Sequence, residues 1–398
     1  MKNNIFYNDK VLHNFGLQPI SNRFKKYKKE NSPLYNLSIS ICKNTGLIFS
    51  KYNFPIKELK PKYTWITCYE PEKHLDKLVS RVIKLFKGNK KINILGLTFK
   101  DQSTINRLKN KNYDNANCLD FSSYGINDNF SNIETLQSKF NIKNAKKIVK
   151  NYGSQDLVIF RHVLEHIYNL DNFFKFIKNI TIKNGYVIIE VPSCTKNLLK
   201  GDCTMIWEEH KSYFTKESLK STINFFNLNI IDIFEYKYTH ENCLVAIIKN
   251  TNSNKVFNYQ KSFKINTELL IKFVNQYDKR KAKIHLKIKK LKEKYGKLFM
   301  YGAGHFSIAF ISLNNIAKDI EIIIDDNIHK KGMFLPIGNI KIMSSKYLKS
   351  KKNKICLLSI NPDNHNKVLN KHKILKKNNI IFKSIFPSSK NSIDSFIC

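Results

Sequence analysis

Residues 156–193 read DLVIFRHVLEHIYNLDNFFKFIKNITIKNGYVIIEVPS. An apolar run ends at Phe160, HVLEH turns the chain into a helical stretch, and Asn184–Gly185 restarts it as a second apolar run. Apolar runs of about four to eight residues, separated by helical segments, predict the buried strands of a doubly wound parallel sheet. Ligands in such sheets bind beyond the carboxyl ends of the strands, which is where Arg161 and His162 fall.

The same rhythm extends in both directions. From Leu75 a helix (HLDKLVSRVIKLF) leads into strand-like runs at 91–97, 115–121, 133–137, 155–160, 185–191 and 242–249. Residues 251–294 turn helical and lysine-rich, as a connector does, and KLFMYGAG, IEIIIDD, KICLLSI and NIIFKSIF then mark a second α/β unit over 295–398. Residues 1–74 read as a small irregular region with strand-like pieces such as NLSISICKNTGLIFS. The expected architecture is α/β: two Rossmann-like doubly wound sheets, at 75–250 and 295–398, joined by the helical connector.

Composition narrows the field. The chain of 398 residues is 42% hydrophobic, enough to bury several cores. Its formal charge of +38 can be the footprint of nucleic acid or can steer an anionic substrate. The lysines are spread along the whole chain and travel with Asn and Ile, as codons of an AT-rich genome dictate, so a solvated surface is expected and a nucleic-acid partner is not. The 8 cysteines form no CxxC pair and read as reduced thiols. No apolar run approaches the roughly 18 residues that span a bilayer. With no apolar leader at MKNNIFYNDK, a cytoplasmic protein is expected.

Two motifs carry chemistry. His162, Glu165 and His166 spell H-x-x-E-H, an inverted zinc-protease motif, but that motif belongs on a helix and here follows a strand directly. Gly302, Gly304 and Ser307 follow a strand and open a helix, with Asp325 and Asp326 about twenty residues on, a degraded dinucleotide fingerprint. Read alone, it suggests a nicotinamide-dependent oxidoreductase; a tight turn that only closes the fold is the other reading.

The DLV strand followed by HVLEH, a helix and a second strand resembles the fourth-strand region of class I S-adenosylmethionine-dependent methyltransferases. FGLQPISNRF (15–24), YEPEKHLD (69–76), MIWEEHKSYFTKESLKSTINFFNL (205–228) and YGAGHFSIAF (301–310), continued by IIDDNIHKKGMFLPIGNIKI (323–342), extend the resemblance to nucleotide-sugar C-methyltransferases over nearly the whole chain. That family has a small zinc-binding N-terminal domain, a methyltransferase domain and a C-terminal Rossmann-like domain. The resemblance implies S-adenosylmethionine as cofactor and a nucleoside-diphosphate keto-sugar as substrate. The segment that usually reads Tyr-His-Glu-His makes His210 the implied base and Glu209 its partner, with Trp207 in the tyrosine position and Tyr213 offering a phenol nearby. A C–H beside a ketone must lose its proton before the carbon attacks a sulfonium methyl, and histidine titrates near working pH. A donor must also stabilise the enolate oxygen. Without the resemblance, Glu208, Glu209 and His210 would read as a polar helix start.

Cofactor contacts are implied at Gly96, Asp101, Asp120, Arg161 and His162, and substrate contacts at Tyr301, Gly302, Gly304, His305 and Asp325, where a phosphate would sit on the helix N-terminus. The chain departs from the family twice. The glycine-rich loop is ILGLTFKDQSTINRL (94–108), which keeps Gly96 alone. Cys42 has lost its zinc-binding partners, with Thr45 in the place of one, so neither zinc nor any other metal is expected. A non-catalytic descendant that kept the fold is the alternative the eroded loop supports.

Overall fold

The structure, a computed structural model, describes residues 10–60, 71–120, 133–252, 257–373 and 378–395. Near the amino terminus β1 (Val11–Pro19), β2 (Leu34–Ile41) and β3 (Ile48–Ser50) run antiparallel, followed by the single turn α1 (Ile56–Leu59). A fourth strand completes this sheet from far along the chain: Ser212–Tyr213 pairs with Phe49 and Ile48. The described part of the region read as irregular therefore holds an ordered antiparallel sheet. Its closing strand lies over 160 residues away, where no local pattern reveals it.

The central unit runs α2 (Leu75–Leu85), β4 (Ile94–Gly96), α3 (Gln102–Lys109), β5 (Ala116–Cys118), α4 (Ile133–Leu136), α5 (Ile142–Tyr152), β6 (Gln155–Arg161), α6 (Leu170–Ile180), β7 (Thr181–Ser193), α7 (Thr195–Leu199), β8 (Ser212–Tyr213), α8 (Lys216–Phe225), β9 (Asn229–Tyr236) and β10 (Asn242–Lys249). The sheet order is β5-β4-β6-β7-β10-β9. The first four strands are parallel, and β10 runs antiparallel to both its neighbours. The short link between β9 and β10 forces that reversal, because a parallel return needs a crossover of a dozen or more residues. Residues 133–137, read as a strand, form α4 and a following turn; a short apolar run does not separate the two by periodicity.

Helix α6 shows how local sequence builds the site. The Asn169 side chain accepts the Asn172 amide at 3.0 Å and caps its start. Leu170, Phe173, Phe174, Phe176, Ile177 and Ile180 then fall on the buried stripe and pack under β6 and β7. HVLEH precedes this helix as a single tight turn, Leu164–His166.

Beyond the central sheet, α9 (Tyr259–Tyr295) is one helix of 37 residues, roughly 55 Å long at 1.5 Å per residue. Its buried stripe enters two cores in turn: Leu270, Phe273 and Tyr277 join the amino-terminal sheet, and Ile284, Ile288 and Leu291 join the carboxyl-terminal one. The last unit contains β11 (Leu298–Tyr301), α10 (His305–Leu313), β12 (Ile320–Ile324), β13 (Lys341–Met343), β14 (Ile355–Leu358), α11 (His365–Lys371) and β15 (Ile381–Ser384). Its strands are all parallel, in the order β13-β12-β11-β14-β15. Among the described residues, no helix is long and apolar enough to cross a membrane.

Candidate active site

The strand order reverses between β4 and β6, so the crevice of the central sheet opens at their carboxyl ends. At the end of β4, a Cβ on Gly96 would lie 2.7 Å from the Asp101 Cβ, so this glycine admits the chain's own aspartate. Asp101 is fully buried and accepts two main-chain amides at 2.9 Å, from Thr98 and from Arg161. Burial pushes its carboxyl up to about 7, against the Thr98 amide and the Arg161 charge. The loop is thus stapled by a carboxylate where glycines usually shape it.

Arg161 ends β6 at 1% exposure and grips Glu190 through two nitrogens, at 2.9 and 3.0 Å. Its remaining N–H groups donate to the main-chain oxygens of Lys100 and Pro71. Glu190 also meets His74 Nε2 at 2.9 Å and His162 Nε2 at 3.1 Å. Burial alone would raise the Glu190 carboxyl, but the His162 and His74 bonds and the Arg161 charge outweigh it and hold it well below the usual range. His162 has a φ of 50°, a left-handed conformation uncommon for a residue with a side chain. Arg161 and His162 are therefore committed to Glu190 and fix the shape of the crevice. Asp120 follows β5 and is exposed, as is Phe99, while the Lys100 ammonium reaches the His162 carbonyl at 3.3 Å.

The implied catalytic segment closes over this end of the sheet. His210 is half-buried, its ring 4.9 Å from that of His166 and 5.0 Å from that of Trp207. Burial, and then the His166, His305 and Lys100 charges, hold its imidazole well below its ordinary range, so it is neutral with a lone pair available. The Glu209 carboxylate accepts from Asn22 at 3.3 Å through Oε1, and its carbonyl oxygen meets His166 Nδ1 at 2.9 Å. The buried Tyr213 phenol donates to the Trp207 carbonyl at 3.3 Å, and burial raises its pKa. Glu208 holds the Ser21 amide and hydroxyl.

His305 brings the carboxyl-terminal unit to the same place, stacking on Trp207 with centroids 4.1 Å apart. Beside it a Cβ on Gly304 would meet nothing within 4 Å, so the start of α10 is open. The rest of the fingerprint is turned inward. Gly302, at φ 104°, lies against Ile360 and Ser359, and the two Asp325 oxygens accept the Ala303 and Asn327 amides at 2.8 Å. Tyr301 bonds Asp326 at 3.4 Å and His372 at 3.2 Å. A nicotinamide fold needs that acid for a ribose, so this geometry does not favour the oxidoreductase reading.

His74 and Glu190 join the site with no motif to mark them, and Glu165 and His166 join it from the H-x-x-E-H motif. Glu190 had a legible signal, a lone charge in the apolar run GYVIIEV. The H-x-x-E-H motif is not on an α-helix, and its first histidine turns to Glu190, so the inverted protease geometry is not formed. Cys42 is buried in the apolar core with Leu47 and Phe49, and Cys68 lies outside the described residues.

Residues 57–233 match the family model of a methyltransferase domain, and residues 249–387 match that of the C-methyltransferase C-terminal domain. The chain is a methyltransferase. No curated protein matches the methyltransferase. Similar solved structures include S-adenosylmethionine-dependent methyltransferases from Archaeoglobus fulgidus (15% identity, 44% of this chain and 94% of that one, TM-score 0.30) and Aquifex aeolicus (11%, 49% and 97%, 0.28). Another is the 1,6-didemethyltoxoflavin-N1-methyltransferase of Burkholderia thailandensis, solved with S-adenosylhomocysteine (8%, 52% and 96%, 0.27).

The cofactor presents a ribose diol, a carboxylate and an ammonium group. The exposed Asp120 carboxylate at the end of β5 suits the diol, and the Lys100 ammonium suits the carboxylate. The residues fit the cofactor in their donor chemistry, on a loop held by Asp101 instead of a run of glycines.

Proposed function

We propose that this methyltransferase transfers a methyl group to the carbon beside the ketone of a nucleoside-diphosphate sugar. S-adenosylmethionine supplies the electrophilic methyl; the chain supplies binding, orientation and the base. The observation that carries the reading is the Trp207–His305 stack, which puts the start of α10 beside His210. One ligand can then offer its diphosphate to the open helix start at Gly304 and its sugar to the imidazoles. The large positive charge favours an anionic substrate at the encounter stage.

His210 takes the α-proton at its ring nitrogen. A neutral imidazole in a half-buried cleft is ready to accept it, and closure of the two units around one ligand supplies proximity. Asp120 and Lys100 would hold the cofactor at the ends of β5 and β4.

Hydrogen exchange isolates the base from the transfer. In D2O without methyl donor, wild-type protein is expected to wash deuterium into the α-position of a nucleotide keto-sugar, read by NMR. His210→Gln is expected to abolish wash-in. Unchanged wash-in by a folded His210→Gln protein places the base elsewhere.

A further inference from the structure

Glu165, His166 and His210 converge from two loops, with one ligand atom of each within 4.8 Å of the others. His166 Nδ1 lies 2.9 Å from the Glu209 carbonyl oxygen. A carbonyl only accepts, so Nδ1 donates to it and Nε2 is the nitrogen left for a metal ion. That nitrogen faces Glu165 Oε1 at 3.8 Å. From the other side, His162 Nε2 donates to the ionised Glu190 carboxylate, and His162 Nδ1 lies 3.4 Å from the same Glu165 oxygen. Glu165 is 1% exposed, and its second oxygen is buried with no hydrogen-bond partner.

A buried carboxylate with an unpartnered oxygen calls for a positive charge beside it. At 3.8 Å the atoms are too far apart for a hydrogen bond. They are well spaced for two ligands each about 2.0–2.2 Å from a common ion. One ligand atom from each of Glu165, His166 and His210 lies within 4.8 Å of the others, and the half-buried His210 leaves a way in.

We propose that Glu165, His166 and His210 form a binding site for one divalent transition-metal cation of the zinc class. Two imidazoles and a carboxylate are a donor set suited to such ions. The His166 contact with the Glu209 carbonyl is the outer-shell bond that fixes a ligand's tautomer. The neighbouring trio of His162, Glu190 and Cys243 is a poorer host, because the Arg161 guanidinium already neutralises Glu190 and repels a cation. One consequence rests on the proposed function: a cation on His210 takes the lone pair that accepts the substrate proton, so it inhibits methyl transfer.

The test is titration of the chelator-treated full chain with Co2+ alone, followed by its visible absorption. One equivalent is expected to bind and to be displaced by Zn2+. Glu165→Gln, which keeps the side-chain shape, and His166→Gln are each expected to weaken binding more than about 100-fold, beyond the cost of losing an outer-shell partner. Absence of stoichiometric binding by the wild-type protein overturns the proposal, as does wild-type affinity in both folded variants. A protein that binds Co2+ at these residues but, once freed of metal by chelator, still moves no methyl group supports the cation site and refutes the proposed function. One that methylates but binds no Co2+ does the reverse.

Discussion

Trp207 and His305 stack with ring planes 22° apart, joining the loop over the central sheet to the first residue of α10. The contact puts a side chain from each α/β unit on the same cleft. Replacing Trp207 with Ala removes one face of it. An aromatic contact of this kind contributes about 0.5–1.5 kcal/mol, so KM for the nucleotide-sugar is expected to rise about 2- to 12-fold. Affinity for S-adenosylmethionine, measured by calorimetry, is expected to stay the same. A change in cofactor affinity alone would contradict the assignment.

Gly96 tests the stapled loop. In Gly96→Ala the new methyl meets the Asp101 Cβ at 2.7 Å, and the loop must move. Overpacking of this kind costs about 1–3 kcal/mol, read as a lower denaturant midpoint, and S-adenosylmethionine binding is expected to weaken with it. A variant as stable and as tight-binding as the parent would show that the loop does not depend on this packing.

Glu190 gathers Arg161, His74 and His162 at a site with no exposed surface. Removing one partner of a buried ion pair leaves the other charge uncompensated, at about 3–5 kcal/mol. Glu190→Gln is expected to lose that much in guanidinium unfolding. A loss below about 1 kcal/mol would mean that water or another carboxylate takes over, contrary to the sealed geometry.

Lys211 supplies a pH signature. It is 3% exposed and donates to the Ser50 carbonyl; burial first, with the Lys51 charge, lowers its pKa from 10.5 to about 7. Between those values the unfolded chain holds a proton that the folded chain has released, so stability rises with pH across the window. The slope is at most about 1.4 kcal/mol per pH unit. Lys211→Met removes it, so the stability difference between parent and variant is expected to change in the parent's favour from pH 7.5 to 9.5. Parallel profiles by chemical denaturation would contradict the assignment.

The inner strands of both α/β sheets were legible because they are buried on both faces and read as short apolar runs; 242–249 is reproduced residue for residue as β10, whereas the half-exposed edge strands β9 and β13 gave no such run. The direction of β10 was not legible, since direction depends on the length of the turn before it. The pairing of Ser212–Tyr213 with β3 was hidden for a related reason, as tertiary contacts alone create so short a strand. At the site, His210 and His305 were found through resemblance, and the structure adds the contacts that unite them through Trp207. Asp101, in the loop after β4, and Arg161 and Asp325, at strand ends, were read as ligand contacts. Their polar atoms instead hold the chain's own amides and carboxylates, a commitment set by burial that a linear sequence does not display.

The most direct test of methylation at carbon uses S-adenosylmethionine carrying a 13C-labelled methyl group, incubated with the methyltransferase and a panel of nucleoside-diphosphate keto-sugars. NMR of the product is expected to show a labelled methyl coupled to a sugar carbon. A label attached to oxygen or nitrogen, or no transfer to any member of the panel by a protein that binds the cofactor, would contradict it.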